Sequence, residues 1–544
     1  MNAAQLLVRC LEAEGVEYVF GLPGEEVMDI LDALSGSTIK FVVVRHEAGA
    51  AFMADVYGRL TGKAGVCLAT LGPGATNLAT GVADANLDRS PLVAITGQVS
   101  LDAVHKESHQ YIDIPALFRP IAKWSVQVER PEVVPEVVRK AFRLAEMERP
   151  GAAQISVPEN IAAAEAAGEP IPSTPLEYPP PRPADLQRAA ALIAQAEYPI
   201  IIAGNGVLRR RGSSELQALA EKINAPVAET FMGKGALDHR HPLSLMAVGL
   251  QDRDWIMCGL DRADLVIAVG YDMVEYAPRR WNPNKDKTII HLDNSPADVQ
   301  EHYVPRVEIV ADVCEGLAAL TEACDGMRRL PHHRALRELI LGELAQYRAD
   351  ESFPMKPQRL VSDLRLALGE DDILISDVGA HKLWLARMYP AIRPNTILIS
   401  NGFAAMGIAV PGAIAAKLVR PDRKVVAVTG DGSFLMTASE LETARRMGTS
   451  FVAVVWVDGA YGLIQWKQLT SARRSFGVSF GNPDFAAYAR SFGLPGFRVE
   501  RAGDFLPTLQ HAMTLPEPSV IEVPVDYGEN LRLTEKLGHL TCTI

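Results

Sequence analysis

The chain has 544 residues, 48% hydrophobic and 22% charged, with a formal net charge of −12. That length predicts about three or four domains, and that balance an ordinary globular interior. The acidic excess and scattered basic residues argue against nucleic acid or an anionic membrane surface as partner, and no apolar run reaches the ~18 residues of a membrane span.

The opening NAAQLLVRCLEAEGV predicts an amphipathic helix capped by Asn2, not a signal peptide. Six cysteines (Cys10, Cys67, Cys258, Cys314, Cys324, Cys542) are dispersed with no CxxC pair, which predicts reduced thiols in a cytoplasmic protein. Residues 1–165 alternate strand and helix. Strands are expected at 16–20, 41–44, 65–70 and 91–96, with a helix at 48–60. The turns between them read Gly21-Leu22-Pro23-Gly24, Arg45-His46-Glu47 and Leu71 to Asn77. Continuous apolar strands between helices predict parallel sheets covered on both faces. Residues 166–186 are too rich in proline for regular structure and read as a linker. A second α/β unit follows, with strands at 199–203, 265–269 and 288–292. Residues 326–358 read as a charged, largely helical connector. The third unit starts near Pro357. The expected fold class is therefore α/β, with three doubly wound parallel-sheet domains at 1–165, 185–325 and 357–544.

The richest stretch is VTGDGSFLMTASELETARRMGTSFVAVVWVDGAY, from Val428 to Tyr461. A strand ends in Gly430-Asp431-Gly432-Ser433, a helix follows, and a second strand ends at Asp458. Ligands of parallel sheets lie at this carboxyl edge. Glycines permit close backbone approach, and a helix amino end attracts anions. Two aspartates beside such a cradle suit a hard divalent cation that bridges to phosphate oxygens. A lone Gly-Asp-Gly is more often just a turn. The order strand, GDGS, helix, strand, acid is far more specific.

That order resembles the thiamine diphosphate motif. RHEAGAAFMADVYGRLTGKAGVCLATLGPGATNLATG, GLPG at 21–24 and SNGFAAMGIAVPGAIAAK at 400–417 resemble the acetolactate synthases in the same order. VIAVGYDMVEYAPRRWNPNKDKTIIHLD, HQYID at 109–113, the tail VPVDYGENLRLTEKLG and Asp458 in place of an asparagine resemble the flavin-independent, catabolic branch. The resemblance implies thiamine diphosphate and Mg²⁺ as cofactors, with FAD not expected. It implies decarboxylation of one pyruvate and condensation with a second to 2-acetolactate. It also implies a homodimer or homotetramer, in which the first domain of one chain meets the third domain of another.

Residue by residue, the resemblance assigns cofactor activation to Glu47 and a wedge beneath the folded cofactor to Met406. The Ala404 carbonyl would receive the ring amino group. Asp431, Asp458 and the Ala460 carbonyl would bind Mg²⁺. Gly430, Gly432, Ser433, His381 and Tyr461 would face the diphosphate, and Pro23, Gly24 and Asn77 the ring. His109 and Gln110 match positions near the reacting carbon. Taken singly, Glu47 reads as a helix-start carboxylate, Met406 as a core methionine, and His109 or Gln110 as a plain surface or core residue. Acceptor choice stays open. The position nine residues after Asp458 is Lys467, where the family has tryptophan or glutamine, and Trp466 lies one residue away. Pyruvate is the expected acceptor, with 2-oxobutyrate the alternative.

Two other readings of the same scaffold are a simple 2-oxo acid decarboxylase and a catalytically silent regulatory homologue. HKESHQ at 105–110 has no adjacent histidine pair, which disfavours the first. The joint presence of Glu47, Asp431 and Met406 disfavours the second. A dehydrogenase reading rests only on Gly204-Asn205-Gly206, which lacks the full dinucleotide fingerprint.

Overall fold

The computed structural model describes residues 1–249, 254–325 and 333–538. The amino-terminal helix spans Ala3–Ala13, and its Asn2 cap accepts from the Gln5 N–H while the Gln5 side chain accepts from the Asn2 N–H. Three six-stranded sheets follow in chain order. The first contains β1 (Tyr18–Gly21), β2 (Lys40–Val43), β3 (Gly65–Ala69), β4 (Leu92–Gln98), β5 (Trp124–Gln127) and β6 (Ala152–Pro158). The second contains β7 (Pro199–Ala203), β8 (Val227–Glu229), β9 (Ser244–Ala247), β10 (Leu265–Val269), β11 (Thr288–Asp293) and β12 (Val307–Val310). The third contains β13 (Ile373–Ser376), β14 (Ile397–Ile399), β15 (Val425–Gly430), β16 (Val452–Val457), β17 (Gly496–Arg498) and β18 (Ser519–Pro524).

The orders are β2-β1-β3-β4-β6-β5, β12-β11-β10-β7-β8-β9 and β14-β13-β15-β16-β18-β17. Every ladder within them is parallel. Central strands such as GVCLA and LVAITGQ are buried at every position, because helices cover both faces. This is the expected α/β class.

The first and third sheets are not independent. Helix Glu47–Thr61 packs against helix Ala409–Val419, and one apolar cluster runs from Phe20 and Val42 through Ala50 and Ala54 to Ile375 and Ala413. Alanine and glycine dominate both helices, so their backbones approach closely.

Several expectations shift. Helix Pro73–Leu87 begins at the proline itself, so Asn77 stands inside the helix rather than ahead of it. Proline at the first helical position loses no hydrogen bond. The connector carries helix Arg334–Gln346, while residues 326–332 and Cys542 lie outside the described residues. Cys10, Cys67 and Cys314 are free thiols, but Cys258 is disulfide-bonded. That corrects the all-reduced expectation, because pairing follows distance in the fold, not spacing in the chain. Among the described residues no helix is long and apolar enough to cross a membrane.

Candidate active site

Strand β15 runs directly into helix Asp431–Thr437, so Gly430-Asp431-Gly432-Ser433 is a strand end followed by a first helical turn. The Asp431 side chain is buried, and its Oδ1 accepts from the Gly432 N–H at 2.8 Å. Its Oδ2 accepts from the Asp458 N–H at 3.1 Å, the Gly459 N–H at 2.7 Å and the Asn482 amide at 2.8 Å. The ends of β15 and β16 are thus tied through one carboxylate. The Ser433 hydroxyl donates to the Val378 carbonyl at 3.0 Å.

Burial, reinforced by the charge of Asp431, pushes the Asp458 carboxyl up to about 7. A divalent cation between the two carboxylates would reverse that cost. His381, on helix Ala380–Met388, is 2% exposed, and its Nε2 has no partner. Burial pushes its imidazole down to about 3, so the ring is neutral. A neutral ring has one N–H, and its hydrogen bond to the Asp377 backbone leaves Nε2 without a partner beside the cavity.

These groups share one cavity of about 250 Å³. Its walls include His381, Ala404, Met406, Gly430 to Ser433, Asp458, Ala460, Tyr461, Leu463, Ile464 and Tyr527. Ala404 adopts a left-handed φ of +59°. The segment is fixed from below by Asp377, whose carboxylate accepts from the Gly407 N–H at 2.8 Å and the Ala409 N–H at 3.2 Å.

The first domain builds a second, separate group. Glu47 opens helix Glu47–Thr61 and is 6% exposed. Its Oε2 accepts from the Asn77 amide at 2.9 Å. The turn before it is held by Glu440 of the third domain, whose Oε1 accepts from the Arg45 and His46 N–H groups at 3.0 Å each. Pro23 and Gly24 lie in the turn after β1. His109 and Gln110 occupy an exposed turn. Gln110 reaches the same sheet edge through Gly72, where a Cβ would sit 2.6 Å from the Gln110 carbonyl oxygen. Gly72 also has φ +48°, so no other residue fits there without strain.

The structure therefore gathers His381, Ala404, Met406, the GDGS turn, Asp458, Ala460 and Tyr461. It leaves Glu47, Asn77, Pro23, Gly24, His109 and Gln110 outside that cavity, whose walls all come from the third domain. Trp466 turns away, since its indole N–H donates to Thr534 at 2.8 Å. Lys467 is exposed on helix Gly462–Ala472, close enough to Lys382 to depress its ammonium beyond the effect of burial.

Asp377, Glu440, Asn482 and Tyr527 escaped sequence reasoning. Only Asp377 left a signal, as an acid at the end of the apolar run ILIS.

The chain matches three families in order. Residues 1–117 match "Thiamine pyrophosphate enzyme, N-terminal TPP binding domain", residues 186–320 the central domain and residues 377–523 the C-terminal TPP binding domain. Among curated proteins it is 37% identical to the acetolactate synthase of Bacillus subtilis, over 98% of this chain and 94% of the relative. It is 38% identical to the catabolic acetolactate synthase of Raoultella terrigena, over 99% and 98%. It is 36% identical to a probable acetolactate synthase large subunit of Methanocaldococcus jannaschii, over 99% and 95%. The phosphate-ready turn, the facing aspartates and these full-length matches agree, and the chain belongs to the acetolactate synthase family of thiamine pyrophosphate-dependent enzymes.

Proposed function

We propose that the protein is a flavin-independent acetolactate synthase, joining two pyruvates with loss of carbon dioxide. The observation that carries this is one cavity in which two carboxylates, a helix amino end and a neutral histidine with an unpartnered Nε2 converge. That donor set fits a diphosphate with its cation. Asp431, Asp458 and the Ala460 carbonyl would hold Mg²⁺, and Gly430, Gly432, Ser433, His381 and Tyr461 the diphosphate. When bound, thiamine diphosphate supplies the nucleophilic carbon and takes up the charge left by carbon dioxide.

This chain's residues would do the rest. Glu47 would hold a proton against the aminopyrimidine ring, with Asn77 fixing its carboxyl. Met406 would keep the cofactor folded, and Ala404 would accept from its amino group. Pro23 and Gly24 would border the ring, and Gln110 and His109 the reacting carbon. Leu463 and Ile464 give the cavity apolar walls that limit stray protonation of the product-forming centre.

Since Glu47 is not among the walls of its own chain's cavity, the working unit would be at least a homodimer, with a dimer of dimers as the larger form. Exposed apolar side chains support this: Phe403, Leu435, Met436, Tyr461 and Ile464, each 39–49% exposed, lie on the segments around the cavity. Such a patch suits coverage by a second copy.

The central domain supports the absence of flavin. Its Gly204 and Gly206 are spent on close packing, since a Cβ at either would sit 2.3–2.5 Å from Gly270. The Asn205 N–H, which would greet a pyrophosphate, is taken by Glu275 at 3.1 Å. A stoichiometric flavin absorbance in the purified protein would overturn this. The domain limits 1–165, 185–325 and 357–544 and a cytoplasmic setting belong to the same reading.

The test is product analysis with pyruvate alone and with 2-oxobutyrate added. Acetolactate is the expected product. Acetaldehyde would indicate a decarboxylase, and no turnover above background a silent homologue. The mixed-substrate arm reads the acceptor preference.

A further inference from the structure

Residues 400–405, which lead into Met406, belong to the third domain but are held by the first. Helix Pro73–Leu87 and its C-cap present Asp84 and Asp88, both fully buried, to this segment. Asp84 accepts from the Ser400 hydroxyl at 2.9 Å and from the Ala405 N–H at 2.9 Å. Asp88 accepts from the Asn401 N–H at 3.1 Å and also from the Gly402 N–H. Four donors within six residues thus end on two carboxylates from another domain. Between them stands Ala404 at φ +59°, a conformation that a non-glycine residue holds only when its surroundings over-determine it.

Arg59 bridges the two acids, at 2.7 Å from Asp88 and 3.4 Å from Asp84, and it also pairs with Asp55 at 2.8 Å. One guanidinium faces three buried carboxylates. Burial, then the charges of Asp88 and Asp55, push the Asp84 carboxyl well above its usual range. Asp55 shares the burial and the arginine, but no hydrogen bond joins its carboxylate to the segment.

We propose that Asp84 and Asp88 are positioning residues that fix the Ala404–Met406 backbone for catalysis. Neither lines the cavity, and both would act through the segment they hold. The role assigned to that segment rests on the reading above, whereas the holding itself does not. Carboxylates that accept backbone N–H groups can keep a strained loop in one state. An amide in the same place presents a weaker acceptor and a competing donor.

The experiment uses the full-length protein with Asp84→Asn, Asp88→Asn, Ser400→Ala and, as a control from the same cluster, Asp55→Asn. Amide hydrogen exchange over residues 400–409 is read first without cofactor. We expect at least a tenfold rise for the first two variants, a smaller rise for Ser400→Ala and none for Asp55→Asn. With thiamine diphosphate and Mg²⁺ added, kcat for the first two should fall by about 10- to 100-fold, because small misplacements of a reacting group are costly. Pyruvate KM and cofactor affinity should stay within about threefold. Unchanged exchange at 400–409, or a rise equal to that of Asp55→Asn, overturns the proposal. If the aspartate variants do not fold, Ser400→Ala decides, and unchanged exchange there overturns it as well. Raised exchange with unchanged kcat would refute the catalytic role of the segment while leaving the holding contacts in place.

Discussion

Glu47→Gln separates a catalytic carboxyl from a helix-start carboxylate. Glu47 is 6% exposed, and one oxygen accepts from the Asn77 amide at 2.9 Å. Glutamine can keep that bond by turning its carbonyl oxygen toward Asn77. Size, burial and orientation are then conserved, and only the exchangeable proton is lost. The turn before it stays anchored by Glu440, so the fold should be intact. Positioned acid–base groups contribute about 10²- to 10⁴-fold, which is ~2.7 to ~5.4 kcal/mol of barrier. The diphosphate and metal ligands lie in another domain, so cofactor affinity should fall only modestly. The assay is hydrogen–deuterium exchange at C2 of the bound cofactor, read by NMR after acid quench, beside a cofactor titration. Exchange should slow by the same factor as turnover. Equal exchange in wild type and variant would reduce Glu47 to a helix-start residue and refute the assigned first step.

Three further outcomes are expected. Met406→Ala should bind cofactor with near-normal affinity but lose about 10²-fold in turnover, because the metal ligands are untouched while the folded geometry is lost; an unchanged turnover number would place the wedge elsewhere. Mixing inactive Glu47→Gln with inactive Asp431→Asn should restore some activity through hybrid sites, and no recovery after verified subunit exchange would count against a site shared between chains. For Glu275, burial pushes the carboxyl up to about 8, so the folded protein binds its proton more tightly than the unfolded one. That stabilisation is full below the ordinary carboxylate range and is lost as pH rises through about 8. Glu275→Gln should therefore be more stable than wild type at pH 9, by an amount on the order of 4 kcal/mol, with the gap closing toward pH 5; a gap independent of pH would show that the carboxyl does not titrate there.

The sheets were legible because buried parallel strands are continuous apolar runs. The runs at 199–203 and 265–269 are strands β7 and β10 residue for residue. Short edge strands such as β5 and β17 escaped, since four half-buried residues or three carry little periodicity. The GDGS turn and Asp458 were legible as a strand-end pair because chain order places them there. Asn482 was not: it reaches Asp431 from 51 residues away along the chain, through a loop with no pattern of its own. Nor was the distance between Glu47 and the cavity, because sequence fixes which domain carries a residue but not which face of it meets which partner. The choice between Trp466 and Lys467 fell the same way. One residue of slip was undecidable along the chain, whereas the Trp466–Thr534 bond turns the indole toward the carboxyl-terminal helix Gly528–Gly538.

The contacts between the first and third domains run in both directions. Glu440 of the third domain holds the turn that presents Glu47, and Asp84 and Asp88 of the first hold the segment that presents Met406. Helix Glu47–Thr61 carries Glu47 at one end and Asp55 and Arg59 further along, while helix Pro73–Leu87 carries Asn77 near its start and Asp84 near its end. From residue 77 to residue 84 the rise is about 10 Å at 1.5 Å per residue. If Glu47 serves a partner's cofactor while Met406 serves its own chain's, these two helices link parts of two different sites. Their shared core with helix Ala409–Val419 then has a reason to be alanine-rich and tight, since a loose interface would misplace a group at each site. Enlarging a small buried residue there, such as Ala50→Val, should accordingly lower turnover without removing any ligand. Overpacking costs about 1–3 kcal/mol of strain, which the two helices must pass on to their ends. Wild-type turnover in a variant whose melting temperature has clearly fallen would show that the interface carries stability alone.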